Sequence, residues 1–206
     1  MNEKITKIHQ ILCELYPSEC SLEFNGEPYK LLVMTRLSAQ CTDARVNSVC
    51  KKLFSEFPTI EALADAPIED IEHIVLPCGV YRMKSRNIKD ACRELLDKHG
   101  GVVPSSIEEL IKLPGVGRKT ANLIVSEIYG LPGVVADTHC IRLSNRLGIA
   151  DSKNPSVVET ELKAQLDPEI QADFCHRLVF HGRAVCKARS PKCGDCLLFD
   201  WCDRNI

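Results

Sequence analysis

Hydrophobic residues recur at helical spacing along nearly the whole chain. Near the start, Ile5, Ile8, Leu12 and Leu15 lie three or four positions apart, and Pro17 ends the segment. We find no convincing stretch in which apolar and polar residues alternate as they do in a half-buried β-strand. The pattern therefore predicts an all-α protein.

Residues that start and stop helices give the expected boundaries. Ser105 and Glu108 predict a capping box, Asp137 is placed to cap a helix that ends at Gly148, and Asn154-Pro155 begins another. The first helix has no covering neighbour in its own region, so we expect it to pack against the C-terminal half. Further helices are expected at 29–37, 42–54, 59–64, 68–75, 84–98, 106–113, 118–129, 138–147 and 172–185.

Composition narrows the class of protein. The 206 residues are 45% hydrophobic and 26% charged with a net charge of −2, so any nucleic-acid surface must be a local patch. The first residues, MNEKITKIHQ, lack the apolar core of a signal peptide, and no apolar run approaches the roughly 20 residues of a membrane span. We therefore expect a cytoplasmic protein whose twelve cysteines are mostly free thiols or metal ligands.

Four cysteines are concentrated near the C-terminus with the spacing C-x6-C-x2-C-x5-C, namely Cys186, Cys193, Cys196 and Cys202. Four thiolates this close suit a soft metal, either zinc or a [4Fe–4S] cluster. Zinc ribbons usually have two C-x2-C pairs separated by a long spacer, and this segment has one. The spacing favours the cluster over zinc, and both over a site without metal.

The eight other cysteines are scattered, mostly at apolar positions of the predicted helices. We interpret them as small buried hydrophobic residues. They are Cys13, Cys20, Cys41, Cys50, Cys78, Cys92, Cys140 and Cys175.

The segment LPGVGRKTA, which starts at Leu113, lies between two predicted helices. Its glycines allow close approach of the backbone, and the N–H groups at the start of the second helix can bind a phosphate. This is a helix-hairpin-helix element, and the spacing of a nucleotide P-loop is absent. Lys119, at the second position of that helix, is either one more phosphate contact or a nucleophile beside the bound backbone.

Two further features suit a DNA enzyme. Asp137 is expected to be a helix cap, and a carboxylate near an amine in a DNA-binding site could also act in catalysis. Residues 174–192 contain no acidic residue, so they form either a phosphate-binding stretch or a solvated helix face. Their basic residues are Arg177, Arg183, Lys187, Arg189 and Lys192.

Taken together, LSAQCTD at 37–43, LPGVGRKTA, ADTH at 136–139 and the four-cysteine tail closely resemble the endonuclease III family. These are bifunctional DNA glycosylases and abasic-site lyases of the helix-hairpin-helix superfamily. The resemblance runs from about residue 20 to 202, with the motifs in the same order and spacing.

The resemblance implies roles for matching positions. Lys119 falls on the nucleophile, Asp137 on the catalytic carboxylate and the four terminal cysteines on the [4Fe–4S] ligands. Gln40 falls on the residue that fills the gap left by an extruded base, and Val80 on a wedge residue that is often the longer leucine. The other implied DNA contacts are Leu113, Gly115, Gly117, Arg118 and His139.

The resemblance also implies the architecture and the activity. The expected fold has two helical lobes with a DNA-binding cleft between them: a domain at 21–133 that contains the hairpin (106–129), and a cluster domain made of 1–20 plus 134–206. The expected enzyme is a monomer, associated with the nucleoid. It excises oxidised or ring-saturated pyrimidines from double-stranded DNA and cleaves abasic sites by β-elimination.

Three other interpretations remain. A mispair adenine glycosylase would have a residue other than lysine at position 119 and a glutamate within 31–36, where this chain has LLVMTR. A hairpin protein that binds DNA without turnover would show no lyase activity. An electron carrier would need far less chain around one cluster.

Overall fold

The computed structural model describes residues 1–18 and 20–204, and within these residues every regular element is a helix. The all-α fold class is therefore confirmed. The α-helices are α1 (Glu3–Leu15), α2 (Pro28–Ser38), α3 (Asp43–Glu56), α4 (Ile60–Asp65), α5 (Ile68–Val75), α6 (Tyr81–His99), α7 (Ile107–Leu110), α8 (Arg118–Tyr129), α9 (Thr138–Leu147), α10 (Pro155–Gln165) and α11 (Gln171–Ala184). Short 3-10 helices cover Leu76–Cys78, Pro168–Ile170, Cys193–Asp195 and Phe199–Trp201.

The chain divides into two compact units, one formed by Ser21–Tyr129 and the other by Met1–Cys20 together with Gly130–Ile206. In the first unit, α2 is the central element, since Leu31, Leu32 and Val33 are successive residues and all three are buried. A helix that is buried on every side must be surrounded by other helices. Helices α3, α6 and α8 pack against it, and α4 and α5 pack against α6.

In the second unit, α11 packs against both α1 and α9. Ile5, Ile8 and Leu12 of α1 are fully buried, and the ring of His9 on the same helix lies 6.1 Å from that of Phe174 in α11. The interpretation that the first helix packs against the C-terminal half is confirmed. Its physical cause is the one predicted, an apolar stripe with no partner in its own part of the sequence.

The capping residue of α7 differs from the sequence prediction. The helix starts one residue later than a Ser105 cap requires, and the hydroxyl of Ser106 accepts the N–H of Glu109 at 3.2 Å. The helix also ends at Leu110, three residues before the predicted 113. The prediction failed because two adjacent serines offer the same hydroxyl, and the sequence alone does not show which one has extended backbone angles.

Candidate active site and iron–sulfur site

The hairpin between α7 and α8 is built around Gly115. Its φ of 71° is in the left-handed region, and a β-carbon added there would lie 2.5 Å from Nη2 of Arg36 and 2.8 Å from Nδ2 of Asn87. The backbone angle therefore favours glycine, and any β-carbon would also make the ends of these two side chains shift. Burial lowers the pKa of Arg36 from its ordinary value, but a guanidinium still remains charged at neutral pH. A positive charge thus lies directly beneath the turn.

Gly117, two residues on, has the opposite surroundings. A β-carbon there would meet no protein atom within 4 Å, so the backbone is open on that side. The next residues begin α8, whose first N–H groups have no partner within the helix. An open backbone followed by unpaired N–H groups at the positive end of a helix is a phosphate-binding arrangement. Leu113 is buried, and its N–H already donates to the carbonyl of Leu110 at 3.1 Å, so this residue shapes the turn.

Lys119 lies in the first turn of α8, with an exposed side chain. Within the part of the chain that the structure describes, its ammonium makes no hydrogen bond or ion pair. A lysine that supports the fold would normally have a carboxylate or carbonyl partner, as Lys84 does. The ammonium of Lys119 is therefore exposed at the start of the helix that follows the hairpin.

Asp137 caps α9, as the sequence predicts. Its Oδ1 accepts the N–H of Cys140 at 2.7 Å, and the residue is half-buried. Among residues 1–18 and 20–204, its second carboxylate oxygen makes no hydrogen bond. The capping bond fixes the orientation of the carboxylate and leaves one oxygen for another role.

Gln40 and Val80 have exposed side chains and left-handed backbone angles, with φ of 55° and 47°. Gln40 is the third residue of a turn closed by the N–H of Cys41 and the carbonyl of Ser38 at 3.1 Å. Val80 precedes α6 and is 54% exposed. A left-handed conformation costs a β-branched residue about 1–3 kcal/mol, and such strain is concentrated at functional sites. The two residues that the resemblance assigns to the DNA gap are thus held in unfavourable conformations.

The four C-terminal cysteines surround one cavity, which is also lined by Arg146 and Phe199. Among the described residues, no three of these thiols lie within 4.8 Å of one another. Tetrahedral zinc with Zn–S bonds of about 2.3 Å would need all four within roughly 3.8 Å of each other. A cluster with several irons and sulfides between its ligands needs the wider spacing, so the residues fit a [4Fe–4S] cluster better than zinc.

Two arginines of α9 hold the segment that carries Cys186. Arg142 donates to the carbonyl of Cys186 at 3.0 and 3.2 Å and contacts Nδ1 of His139 at 3.1 Å. Arg146 donates to Sγ of Cys186 at 3.3 Å and to the carbonyl of Lys187 at 2.8 Å. The helix that Asp137 caps is therefore bonded directly to the cluster segment. Sequence reasoning missed both arginines, although their i, i+4 spacing places them on one face of α9.

His181 joins the cluster loop to α1. Its Nε2 lies 3.4 Å from Sγ of Cys196, and its Nδ1 lies 3.1 Å from the hydroxyl of Tyr16. Burial lowers the pKa of His181 to about 4, so the ring is neutral at neutral pH. A neutral imidazole can donate on one nitrogen and accept on the other, which suits this bridging position.

Two interpretations from the sequence are wrong in part. Arg177 was included in the basic stretch, but its guanidinium donates to both carboxylate oxygens of Asp173 and to the carbonyl of Tyr16, so it supports the packing of α1. Cys13 is exposed, whereas we expected a buried residue, and Cys20 and Cys41 are only half-buried. The other five scattered cysteines are buried as expected.

Comparison with known proteins identifies the family. Residues 33–168 match the model of the HhH-GPD superfamily of base excision DNA repair proteins, and residues 186–202 match the iron–sulfur binding domain of endonuclease III. Endonuclease III of Synechocystis is 44% identical over 97% of this chain and 92% of the relative, and that of Escherichia coli K12 is 40% identical over 86% and 84%.

Solved structures agree with this assignment. The structure of a trapped covalent intermediate between endonuclease III and DNA, with an estranged adenine, matches with a TM-score of 0.92 and 40% identity over 99% of this chain and 97% of that one. A thermostable thymine-DNA glycosylase has the same fold, with a TM-score of 0.85 at 20% identity over 98% of this chain and 95% of that one. The chain therefore belongs to the endonuclease III family.

Membership confirms the enzyme class, a DNA glycosylase with abasic-site lyase activity, and the iron–sulfur cofactor. Within residues 1–18 and 20–204, no helix has the length and apolar content to cross a bilayer.

Proposed function

We propose that this chain removes oxidised or ring-saturated pyrimidines from double-stranded DNA and then cleaves the abasic site on its 3′ side. The observation that carries the proposal is Lys119, an exposed lysine without a partner among the described residues, in the first turn of a helix that follows a phosphate-binding hairpin. A solved relative that is 40% identical forms a covalent intermediate with DNA, which supports a nucleophile in the same family.

In the proposed reaction, the amine of Lys119 attacks C1′ of the damaged nucleotide. The N-glycosidic bond breaks, and the base leaves with the electron pair and takes up a proton. Loss of a proton from the lysine nitrogen and opening of the sugar ring give a Schiff base. Removal of a proton from C2′ then breaks the C3′–O bond and expels the 3′ phosphate, and water hydrolyses the Schiff base to free Lys119.

Asp137 is the proposed general base and charge stabiliser. Its free oxygen can accept the proton that the lysine loses and can stabilise positive charge on the sugar as the base departs. The capping bond to the N–H of Cys140 holds the carboxylate in place through the reaction. The terminal cysteines would hold the [4Fe–4S] cluster, and the binding energy of the cluster would help to order the C-terminal loop.

Base extrusion needs side chains that occupy the void in the duplex, and we propose Gln40 and Val80 for this role. Both are exposed and lie at loop tips. Oxidised or saturated pyrimidines stack poorly, which lowers the cost of flipping them and favours them as substrates. The hairpin, with Gly115, Gly117 and Arg118, would hold the phosphate backbone, and His139 would add a contact at the start of α9.

We also propose that residues 21–133 form one domain of the enzyme and that residues 1–20 plus 134–206 form the other. Because its proposed substrate is genomic DNA and its curated relatives are bacterial proteins, we propose a cytoplasmic, nucleoid-associated location. We propose that the enzyme acts as a monomer. Size-exclusion chromatography with light scattering, with and without a duplex, tests the last point directly.

The deciding experiment is borohydride trapping on a duplex that contains one pyrimidine lesion or one abasic site. We expect wild-type protein and Lys112→Gln, an equal change of charge at another exposed lysine, to form a covalent adduct. Lys119→Gln should bind the duplex and form no adduct. An adduct with Lys119→Gln would assign the nucleophile to another residue, and no adduct with wild-type protein would leave only a DNA-binding role.

A further inference from the structure

Lys84, in the second turn of α6, is a buried lysine that the proposed reaction does not use. Only 3% of it is exposed, and its ammonium donates to three backbone carbonyls: that of Leu37 at 2.9 Å, that of Ala39 at 2.7 Å and that of Cys78 at 2.8 Å. A lysine ammonium has three N–H donors, so all of them are used. Converging carbonyl oxygens repel one another unless a cation lies between them.

Two of these carbonyls belong to the two loops that carry the proposed gap-filling residues, and the third, that of Leu37, lies in the last turn of α2. Ala39 directly precedes Gln40, and Cys78 lies two residues before Val80. The loops are about forty positions apart in the sequence, and a single charge joins them. The backbone N–H of Lys84 also donates to the carbonyl of Val80 at 3.2 Å, so one residue is bonded to both sides of the Val80 loop.

Two cysteines lie beside the same loops, since Cys41 directly follows Gln40 and Cys78 precedes Gly79. Burial, and after it the neighbouring Cys41, raises the pKa of Cys78 to about 11. Cys78 therefore stays a neutral thiol at neutral pH and does not compete with the carbonyls for the ammonium. Gln40 and Val80 both have left-handed backbone angles that their residue types disfavour, and such angles persist only where the surroundings impose them.

We propose that Lys84 is a positioning residue that locks the Gln40 and Val80 loops into one arrangement before DNA binds. The role rests on the proposed function, because it acts through the two residues assigned to the gap. Side chains that must enter a base stack at fixed depth and spacing gain from a rigid support, since a loop that first has to be ordered weakens insertion. Removal of the ammonium would free the loops relative to each other while leaving Lys119 and the hairpin unchanged.

The competing explanation is that Lys84 only stabilises the fold. Lys89 provides a matched control, because it lies on the same helix five residues later and its ammonium also donates to a backbone carbonyl, that of Ala66. Ala66 follows α4 and is remote in sequence from both loops. Lys84→Met and Lys89→Met therefore make the same chemical change, and only the first releases the gap-filling loops.

The experiment compares two substrates. Excision of a pyrimidine lesion from a duplex needs the gap to be filled, whereas cleavage of a single-stranded abasic oligonucleotide does not. We expect Lys84→Met to lower single-turnover excision from the duplex by about 10- to 100-fold, as misplacement near 1 Å does, and to keep cleavage of the single strand within a few-fold of wild type. Lys89→Met should remain within about twofold of wild type on both substrates. Thermal unfolding is measured for each variant.

A double variant tests whether Lys84 acts through Gln40. If it does, the double variant Lys84→Met, Gln40→Ala should excise the lesion little more slowly than the slower single variant, because both changes remove the insertion of Gln40 into the gap. Equal losses on the two substrates, or multiplied losses in the double variant, would overturn the positioning role. If Lys84→Met does not fold, Lys84→Arg is tested in its place. Arginine keeps the positive charge, but its planar guanidinium cannot point three donors at one set of carbonyls as an ammonium does. Failure of both to fold would make Lys84 a purely structural residue, and an inactive wild type would instead refute the proposed function.

Discussion

The two units of the molecule fix their functional loops by different means. In the unit at 21–129, the hairpin rests on Arg36, and Lys84 bonds the loops of Gln40 and Val80 through backbone carbonyls. In the other unit, the described residues after Val185 contribute a single buried side chain, that of Leu198. The first set of loops is shaped by the protein itself, whereas the terminal loop has too little apolar surface to hold its own shape.

This difference shows where the cofactor matters. A loop with almost no core can be ordered by metal binding, because the binding energy then becomes folding energy. A loop held by buried hydrogen bonds needs no cofactor but depends on each donor. We therefore expect the terminal loop to respond to loss of the cluster, and the loops in 21–129 to respond to loss of single hydrogen-bond donors.

The largest expected effect is loss of a cluster ligand. Cys193→Ser should lose the iron and the brown colour and lose protection from hydrogen exchange after Val185, because one missing thiolate leaves the cluster incompletely ligated. Protection within 21–129 should be kept. The control is Cys13→Ser, which changes an exposed thiol. Stoichiometric zinc in colourless wild-type protein would refute the cluster assignment.

Asp137→Asn should separate capping from catalysis. Asparagine caps helices about as well as aspartate, so unfolding should shift by less than about 1 kcal/mol. Excision of a pyrimidine lesion should fall by about 10²- to 10⁴-fold, since the amide cannot accept the lysine proton. Single-turnover kinetics beside thermal unfolding measure both. Near-normal excision would reduce Asp137 to a helix cap.

The hairpin glycines should differ from each other. Gly115→Ala should destabilise the protein by about 1–2 kcal/mol, because the left-handed angle opposes a β-carbon and the ends of Arg36 and Asn87 must shift. Gly117→Ala should leave unfolding nearly unchanged and weaken binding to an abasic duplex, since its β-carbon faces open space. Unfolding in denaturant and binding at fixed salt test the pair. Equal stability of both variants would mean that the turn can relax around Gly115.

The smallest effect is expected at the wedge. Val80→Ala removes a short side chain and should lower excision only a few-fold, whereas Gln40→Ala should be the more damaging change because the longer amide fills more of the void. The measurement is excision of a pyrimidine lesion from a duplex, at fixed salt, for wild type and both variants. If Val80→Ala lowers excision more than Gln40→Ala does, Val80 and not Gln40 fills the larger part of the void.

Features that depend on a few neighbouring residues were predictable from the sequence. The stripe of Ile5, Ile8 and Leu12 predicted α1, and Asp137 and Gly148 predicted both ends of α9. The hairpin and the four-cysteine site could also be predicted, because each motif is complete within a short segment of the sequence. The capping serine of α7 was missed because two adjacent hydroxyls compete for one N–H.

Tertiary structure decided which polar groups meet across long distances in the chain. The sequence shows a lysine at position 84 on a helix, but not that its ammonium would reach the carbonyl of Leu37, forty-seven residues away. It shows five basic residues in 174–192, but not that Arg177 would turn inward to Asp173 and α1. Periodicity gives the apolar face of a helix, whereas the partners of buried polar groups follow from the packing of several helices at once.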